Sequence, residues 1–383
     1  FYDDAEFEGY DPFDDFSSRM RSGENLHVIL LRDDEVGPTE TYWVRESSSP
    51  IVVKKNGELN LGEGETLRQF VAFAKEYYPA DRYILAFYDH GMSWRGSCLD
   101  VTSGNDFLTM GEKKAALQQV GGVDVVLFSA PCNMGSFEAA YNLRDQTELY
   151  IGSPNTSGYV FWREPMAELS ATLNTNPSIE MEELADAIVS SIWHHKDSWM
   201  PDLWQDALTM TAVRTAGLGA VGQALDAVAL GYLGHSGDFV ALWDEISPEL
   251  TAYGPSLVDM GDLVGQLLAV EENPDRLAAL ETLQNALDDA IICECHGTAW
   301  PRGTGLNLFL PGEDRAYRLA YYLGDESGLD VVQNTHWDDL LTEIHPSAGA
   351  VDWFGGPAIP DWLRLELPLH TDGFSSYFGR SCR

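Results

Sequence analysis

Four short apolar runs mark the first part of the chain: residues 26–31 (LHVILL), 83–88 (YILAFY), 123–128 (VDVVLF) and 149–152 (LYIG). Continuous apolar runs of this length read as strands buried on both faces. Between the first two, Leu67, Phe70, Val71, Ala74 and Tyr77 recur at helical spacing over residues 65–78, and Pro79 ends the pattern. Further helices are predicted over 110–119 and 135–143, with Gly121-Gly122 turning the chain into the third strand. Strands alternating with helices predict an α/β fold with a mostly parallel sheet flanked by helices. Beyond residue 177 the pattern is largely helical, over 181–193, 206–232, 256–270 and 276–291. Residues 305–310 (GLNLFL) read as one more strand, stopped by Pro311 and expected to return to the main sheet. The expected division is an acidic arm over 1–24, a core over 25–165, a helical extension over 166–345, and a tail over 346–383 packed on the core.

Composition narrows the function. Among 383 residues, 23 are Lys or Arg and 61 are Asp or Glu, a formal charge of −38. With 44% hydrophobic residues the chain can bury a large core, which excludes a disordered polyanion. The charge argues against nucleic-acid binding, which needs a basic face. No apolar run approaches the roughly 20 residues of a membrane-spanning helix. So negative a chain disfavours tight self-association, and a monomer is expected. The first residue is Phe1, not Met, as a removed leader or a trimmed chain would leave it. Residues 1–15 hold seven acids and no base. No EF-hand-type loop is present, so no calcium ligands can be named.

Five cysteines, at 98, 132, 293, 295 and 382, give an odd count. One partition is a working thiol plus two disulfides, in which Cys293 and Cys295 seek Cys98 or Cys382; that suits an exported protein. The other is five reduced thiols.

In parallel sheets, working groups gather beyond the carboxyl ends of the strands. His90 follows the second strand and Cys132 the third, 42 positions later, so the fold can make them neighbours. A thiol near an imidazole and at a helix start can become a nucleophile. Gly91 admits a close approach and leaves an N–H to point at an oxyanion. The plainer readings are a small buried hydrophobe and a satisfied polar group. Other constellations are weaker. His194-His195 is not a His-Glu-x-x-His zinc site and reads as a surface or packing pair, and Cys293-Glu294-Cys295-His296 lacks a fourth zinc ligand at the usual spacing. The glycines over 57–64 lack the lysine of a phosphate loop, and Asn155-Thr156-Ser157 is a formal glycosylation sequon.

An ordered set of segments resembles the clostripain-like cysteine peptidases of the caspase–gingipain–legumain clan. It comprises 57–67 (GELNLGEGETL), 83–91 (YILAFYDHG), 106–110 (DFLTM), 125–128 (VVLF), 132–134 (CNM), 137–144 (FEAAYNLR) and 150–153 (YIGS). Later members are 211–213 (TAV), 258–262 (VDMGD) and 305–311 (GLNLFLP), so the likeness runs over residues 25–345. The resemblance implies a caspase-like fold and a secreted or cell-surface endopeptidase acting on proteins or peptides. His90 matches the family's histidine, Cys132 its nucleophile, and the backbone N–H groups of Gly91 and Cys132 its oxyanion donors. No cofactor is implied for the chemistry, although calcium assists some members.

One departure matters. Where the family carries Asp two residues before the nucleophile, this chain has Ala130. That Asp helps to hold a basic P1 side chain, and no acid follows over 153–161, where Ser153 and Asn155 match the other pocket wall. A weaker or different P1 preference is expected, unless an acid arrives from a distant loop. Self-cleavage between histidine and cysteine would have Arg95, Lys113 and Lys114 available. The alternatives are a silent relative that binds peptides or partner proteins, and a metal-dependent hydrolase.

Overall fold

The computed structural model describes residues 17 and 19–346, except 34–36, 47–48, 159–161, 200–201, 255, 313–317 and 325–327. The acidic arm before residue 17 and nearly all of the expected C-terminal tail, with Cys382, lie outside the described residues.

Three strands, β1 (Val28–Arg32), β2 (Thr39–Val44) and β3 (Ile51–Gly57), form an antiparallel sheet of their own. Then come α1 (Gly64–Tyr77), β4 (Ile84–Phe87), the hairpin β5 (Gly96–Asp100) and β6 (Asp106–Thr109), and α2 (Met110–Gln119). Next are β7 (Val125–Phe128), α3 (Phe137–Leu143) and β8 (Leu149–Gly152). The second half holds α4 (Arg163–Thr175), α5 (Met181–Trp199), α6 (Asp202–Ala207), β9 (Thr209–Arg214), α7 (Leu218–Tyr232) and α8 (Ser236–Ile246). It continues with β10 (Ala252–Gly254), β11 (Leu257–Asp259), α9 (Met260–Val270), α10 (Pro274–Ala290), β12 (Ile291–His296) and β13 (Asn307–Phe309). Three short helices follow, ending at Ile344.

The main sheet has the order β12-β9-β8-β7-β4. β4, β7 and β8 run parallel, while β9 and β12 are antiparallel additions. Alternation along the strands divides the interior in two. Val126 and Phe128 join the core built with α1, α2, α3 and α7; Val125, Leu127 and Ile151 join the one built with α4 and α5. Both faces are therefore buried, which is why these strands are apolar throughout.

Several expectations are corrected. The run at 26–31 is a strand, but it pairs with β2 and not with the parallel trio. A cavity of about 300 Å³, lined by Val28, Leu30, Ile84 and Ala86 among others, separates β1 from β4. The helix expected over 206–232 contains a buried strand, β9, before its helical part. β12 was not expected at all, because residues 291–296 (IICECH) lack a clean period. The strand near 305–310 forms, but in a small sheet ordered β10-β11-β13 and not in the main one. A single parallel bridge, Ser136 to Asn307, ties it to the start of α3.

Candidate active site

The two strands that carry the predicted dyad are neighbours. Phe87 pairs with Phe128, their rings stack at 5.0 Å, and the Ser129 N–H donates to the Phe87 carbonyl at 3.0 Å. The chains then leave the sheet side by side, which brings the segment at His90-Gly91 against Pro131-Cys132. A Cβ on Gly91 would stand 2.5 Å from the Cys132 carbonyl oxygen and 2.8 Å from the Cys132 nitrogen. Only a residue without a side chain permits this approach.

The β5–β6 hairpin holds the first segment from behind. The Cys98 N–H donates to the His90 carbonyl at 3.0 Å, Gly91 bridges to Ser97, and the Leu99 N–H donates to the Asp89 carboxylate. The second segment is held by the loop after β8. Asn133 N–H donates to the Asn155 carbonyl at 2.9 Å, and Gly135 N–H to the Ser153 carbonyl at 2.7 Å. Ser136 caps α3 through its hydroxyl. Cys132 thus stands shortly before a helix start, as expected, although four residues separate it from Phe137, the first of α3.

Ser157 sits directly on the thiol. Its N–H lies 3.4 Å from the Cys132 Sγ and its carbonyl 3.5 Å. Burial pushes the Cys132 thiol up to about 11; the Ser157 N–H pulls it down and the Asp89 charge adds to the rise. Burial also lowers His90 below the ordinary imidazole range. At neutral pH both groups rest uncharged.

Ala130, expected to stand in the place of the family's Asp, is buried. Ser153 and Asn155 are buried too, and their side chains fasten the loop after β8 from inside. The Ser153 hydroxyl donates to the Asn155 carbonyl and meets the Thr209 hydroxyl at 2.7 Å; the Asn155 amide donates to the Ala207 carbonyl. The sequon Asn is therefore committed inward. Thr209, at the start of β9, also accepts from the Asn155 N–H at 3.1 Å. Ser157 was named in the sequence only as the end of the sequon and Thr209 not at all; only the antiparallel return of β9 delivers Thr209 here.

Asn307 of β13 was quoted only within a motif, yet it braces both segments. Its amide donates to the carbonyls of Asn133 and Pro154, and its oxygen accepts from the Ser93 hydroxyl. Of the basic residues between histidine and cysteine, Lys113 is fully buried inside α2, and Lys114 is ion-paired with Asp330.

The remaining sequence candidates do not assemble. His195 pairs with Glu168 at 2.8 Å. On β12, Cys293 and Cys295 pack with the α5 core, while the adjacent Glu294 and His296 bond each other at 2.8 Å; successive strand residues point to opposite faces and cannot converge on zinc. No three His, Cys, Asp or Glu side chains among the described residues could hold a metal ion. No disulfide joins the four described cysteines, which corrects the pairing of Cys98 with Cys293 or Cys295. No single described helix is long and apolar enough to cross a membrane.

The sequence profile named Peptidase_C11, Clostripain family, matches residues 10–343. Clostripain from Hathewaya histolytica is 35% identical over an alignment of 168 residues, covering 34% of this chain and 32% of that protein. The matched stretch thus spans about a third of that relative's length. A secreted C11 cysteine protease from Bacteroides thetaiotaomicron, solved with an irreversible peptide inhibitor, superposes with a TM-score of 0.66 at 16% identity, over 88% of this chain and 98% of that one. An inactive zymogen C11 protease from Parabacteroides distasonis gives 0.60 at 18%, over 81% and 87%. At these identities the solved structures speak for the caspase-like fold.

Proposed function

Since this chain belongs to the clostripain family of cysteine peptidases, we propose that it is an endopeptidase working through Cys132 and His90. The observation that carries the reading is the contact of Gly91 with Cys132, which sets an imidazole-bearing segment beside a thiol at adjacent strand ends. With the thiol held up near 11 and the imidazole uncharged, the dyad does not rest as an ion pair. His90 then takes the thiol proton as Cys132 attacks the peptide carbonyl, and returns it to the leaving amine. The N–H groups of Gly91 and Cys132 receive the developing oxyanion. Water, deprotonated by His90, hydrolyses the thioester and restores the thiol. No cofactor enters these steps.

Ser157 covers the Sγ, so substrate binding has to lift the loop after β8 from the thiol. Ala130 offers no charge to a P1 lysine or arginine, and a buried cation without a partner is costly. The P1 preference is therefore shifted away from basic residues. Export is supported by the secreted relative from Bacteroides thetaiotaomicron.

The test is cleavage of a diverse peptide mixture by wild type and Cys132→Ala, read by mass spectrometry, with reductant and calcium each present or absent. Cleavage by wild type alone, with cut sites not confined to Arg and Lys, is the expected outcome. Absence of cleavage in every condition would favour a silent peptide-binding relative.

A further inference from the structure

Lys113 is one of only six lysines in the chain, and it is completely buried. Burying an ammonium is expensive unless something local needs it. Its Nζ donates to the Ser97 carbonyl of β5 at 3.2 Å and to the Leu108 carbonyl of β6, bridging the two strands of the hairpin. It also lies 5.4 Å from the ring centre of Phe87, the last residue of the strand that leads to His90. Ser97 bridges to Gly91, and its neighbours Cys98 and Leu99 bond to His90 and Asp89. The ammonium therefore sits at the root of the device that holds His90-Gly91.

Asp89 is the second part. It is 2% exposed, precedes His90, and its charge acts in opposite senses on two groups. It favours the charged form of Lys113 and disfavours the thiolate of Cys132. The titratable groups acting on Lys113 are Cys98 from β5, Glu112 on its own helix and Asp89 from the end of β4. Glu112 is engaged in the capping box with Thr109.

Resting on the peptidase reading above, we propose that Lys113 is a positioning residue of the reaction: its ammonium staples the hairpin beneath His90-Gly91 and offsets the Asp89 carboxylate, so that Cys132 can ionise. Without it the hairpin loses its internal clamp, and the Asp89 charge acts on the thiol with no ammonium at the root of the hairpin to oppose it.

The experiment measures iodoacetamide alkylation of Cys132 by peptide mass spectrometry on the full chain, from about pH 6 to about pH 10. Wild type, Lys113→Met, Asp89→Asn and the double variant are compared. This readout needs no substrate, so failure of the peptidase reading, seen as no Cys132-dependent cleavage by wild type, is distinguishable from failure of this one. Lys113→Met is expected to move the profile to higher pH and slow alkylation at neutral pH about three- to tenfold. Asp89→Asn is expected to shift the profile the other way, and the double variant to return close to wild type. A purely structural lysine would lower reactivity by the same factor at every pH, with no recovery in the double variant; that result overturns the proposal. If Lys113→Met does not fold, Asp89→Asn decides alone, and an unmoved profile overturns it.

Discussion

Single atoms set much of this site. A methyl at position 91 would meet the Cys132 backbone and the Pro131 ring, neither of which can swing aside. Gly91→Ala is expected to lower kcat/KM by about 100-fold, the scale of a misplacement of about 1 Å, with little change in the far-ultraviolet circular dichroism spectrum. Titration supplies a second residue-level prediction. The Cys132 thiol is raised from the ordinary 9.0 to about 11, so between those values the native chain binds more protons than the unfolded one. Its stabilising contribution is complete below about pH 9 and is lost as pH rises through about 11. Cys132→Ala should therefore lose less stability than wild type over that window in denaturant titrations. Lys113 has the opposite sign: held down to about 8 against an ordinary 10.5, its burial penalises the folded state in full below about pH 8. That penalty is relieved as pH rises towards 10.5, so Lys113→Met should flatten this part of the stability profile.

At the level of elements, the site is a meeting of three sheets. The parallel trio brings Asp89-His90-Gly91 and Cys132 together, the β5–β6 hairpin supports the first, and β13 of the small sheet supports the second. Asn307 links all three through Ser93, Asn133 and Pro154. Asn307→Ala removes two buried hydrogen bonds and a part-buried one; the Pro154 carbonyl keeps the Asn133 amide, while the Asn133 carbonyl loses its donor. A loss of about 2–4 kcal/mol in denaturant stability is expected, together with a fall in kcat larger than the change in KM. The outer edges of the sheets are managed differently. β3 carries Lys54 and Lys55 and is largely exposed, the usual way a charged edge avoids pairing with another chain. β12 is backed by α5, whose apolar face packs on Cys293 and Cys295.

The whole molecule is governed by its charge. At −38, folding concentrates like charges that an unfolded chain could keep farther apart. Salt screens such repulsion, since the Debye length falls from about 10 Å at 0.1 M to about 3 Å at 1 M. The melting temperature should accordingly rise by several degrees between those salt concentrations in a scanning calorimeter. No rise would mean that local ion pairs, such as Arg144 and Lys114 on Asp330, already balance the field.

The sequence by itself determined the local grammar. Helix α2 begins and ends where its capping box and following glycines put it, and β8 matches its apolar run residue for residue, because these signals are written within a few positions. It also determined the chemistry on offer: a histidine and a cysteine after adjacent strands of an α/β fold. Tertiary structure alone decided which strands share a sheet. The apolar run of β1 looks like those of β4 and β7, yet its partner is the mixed polar β2, and strand pairing depends on partners far along the chain. β9 and β12 were hidden for the same reason, as was the delivery of Thr209, Ser157 and Asn307 to the site. Lys113 reads on the sequence only as a basic residue available to self-cleavage; packing alone shows it to be buried, because burial is a property of what surrounds a residue and not of the residue itself.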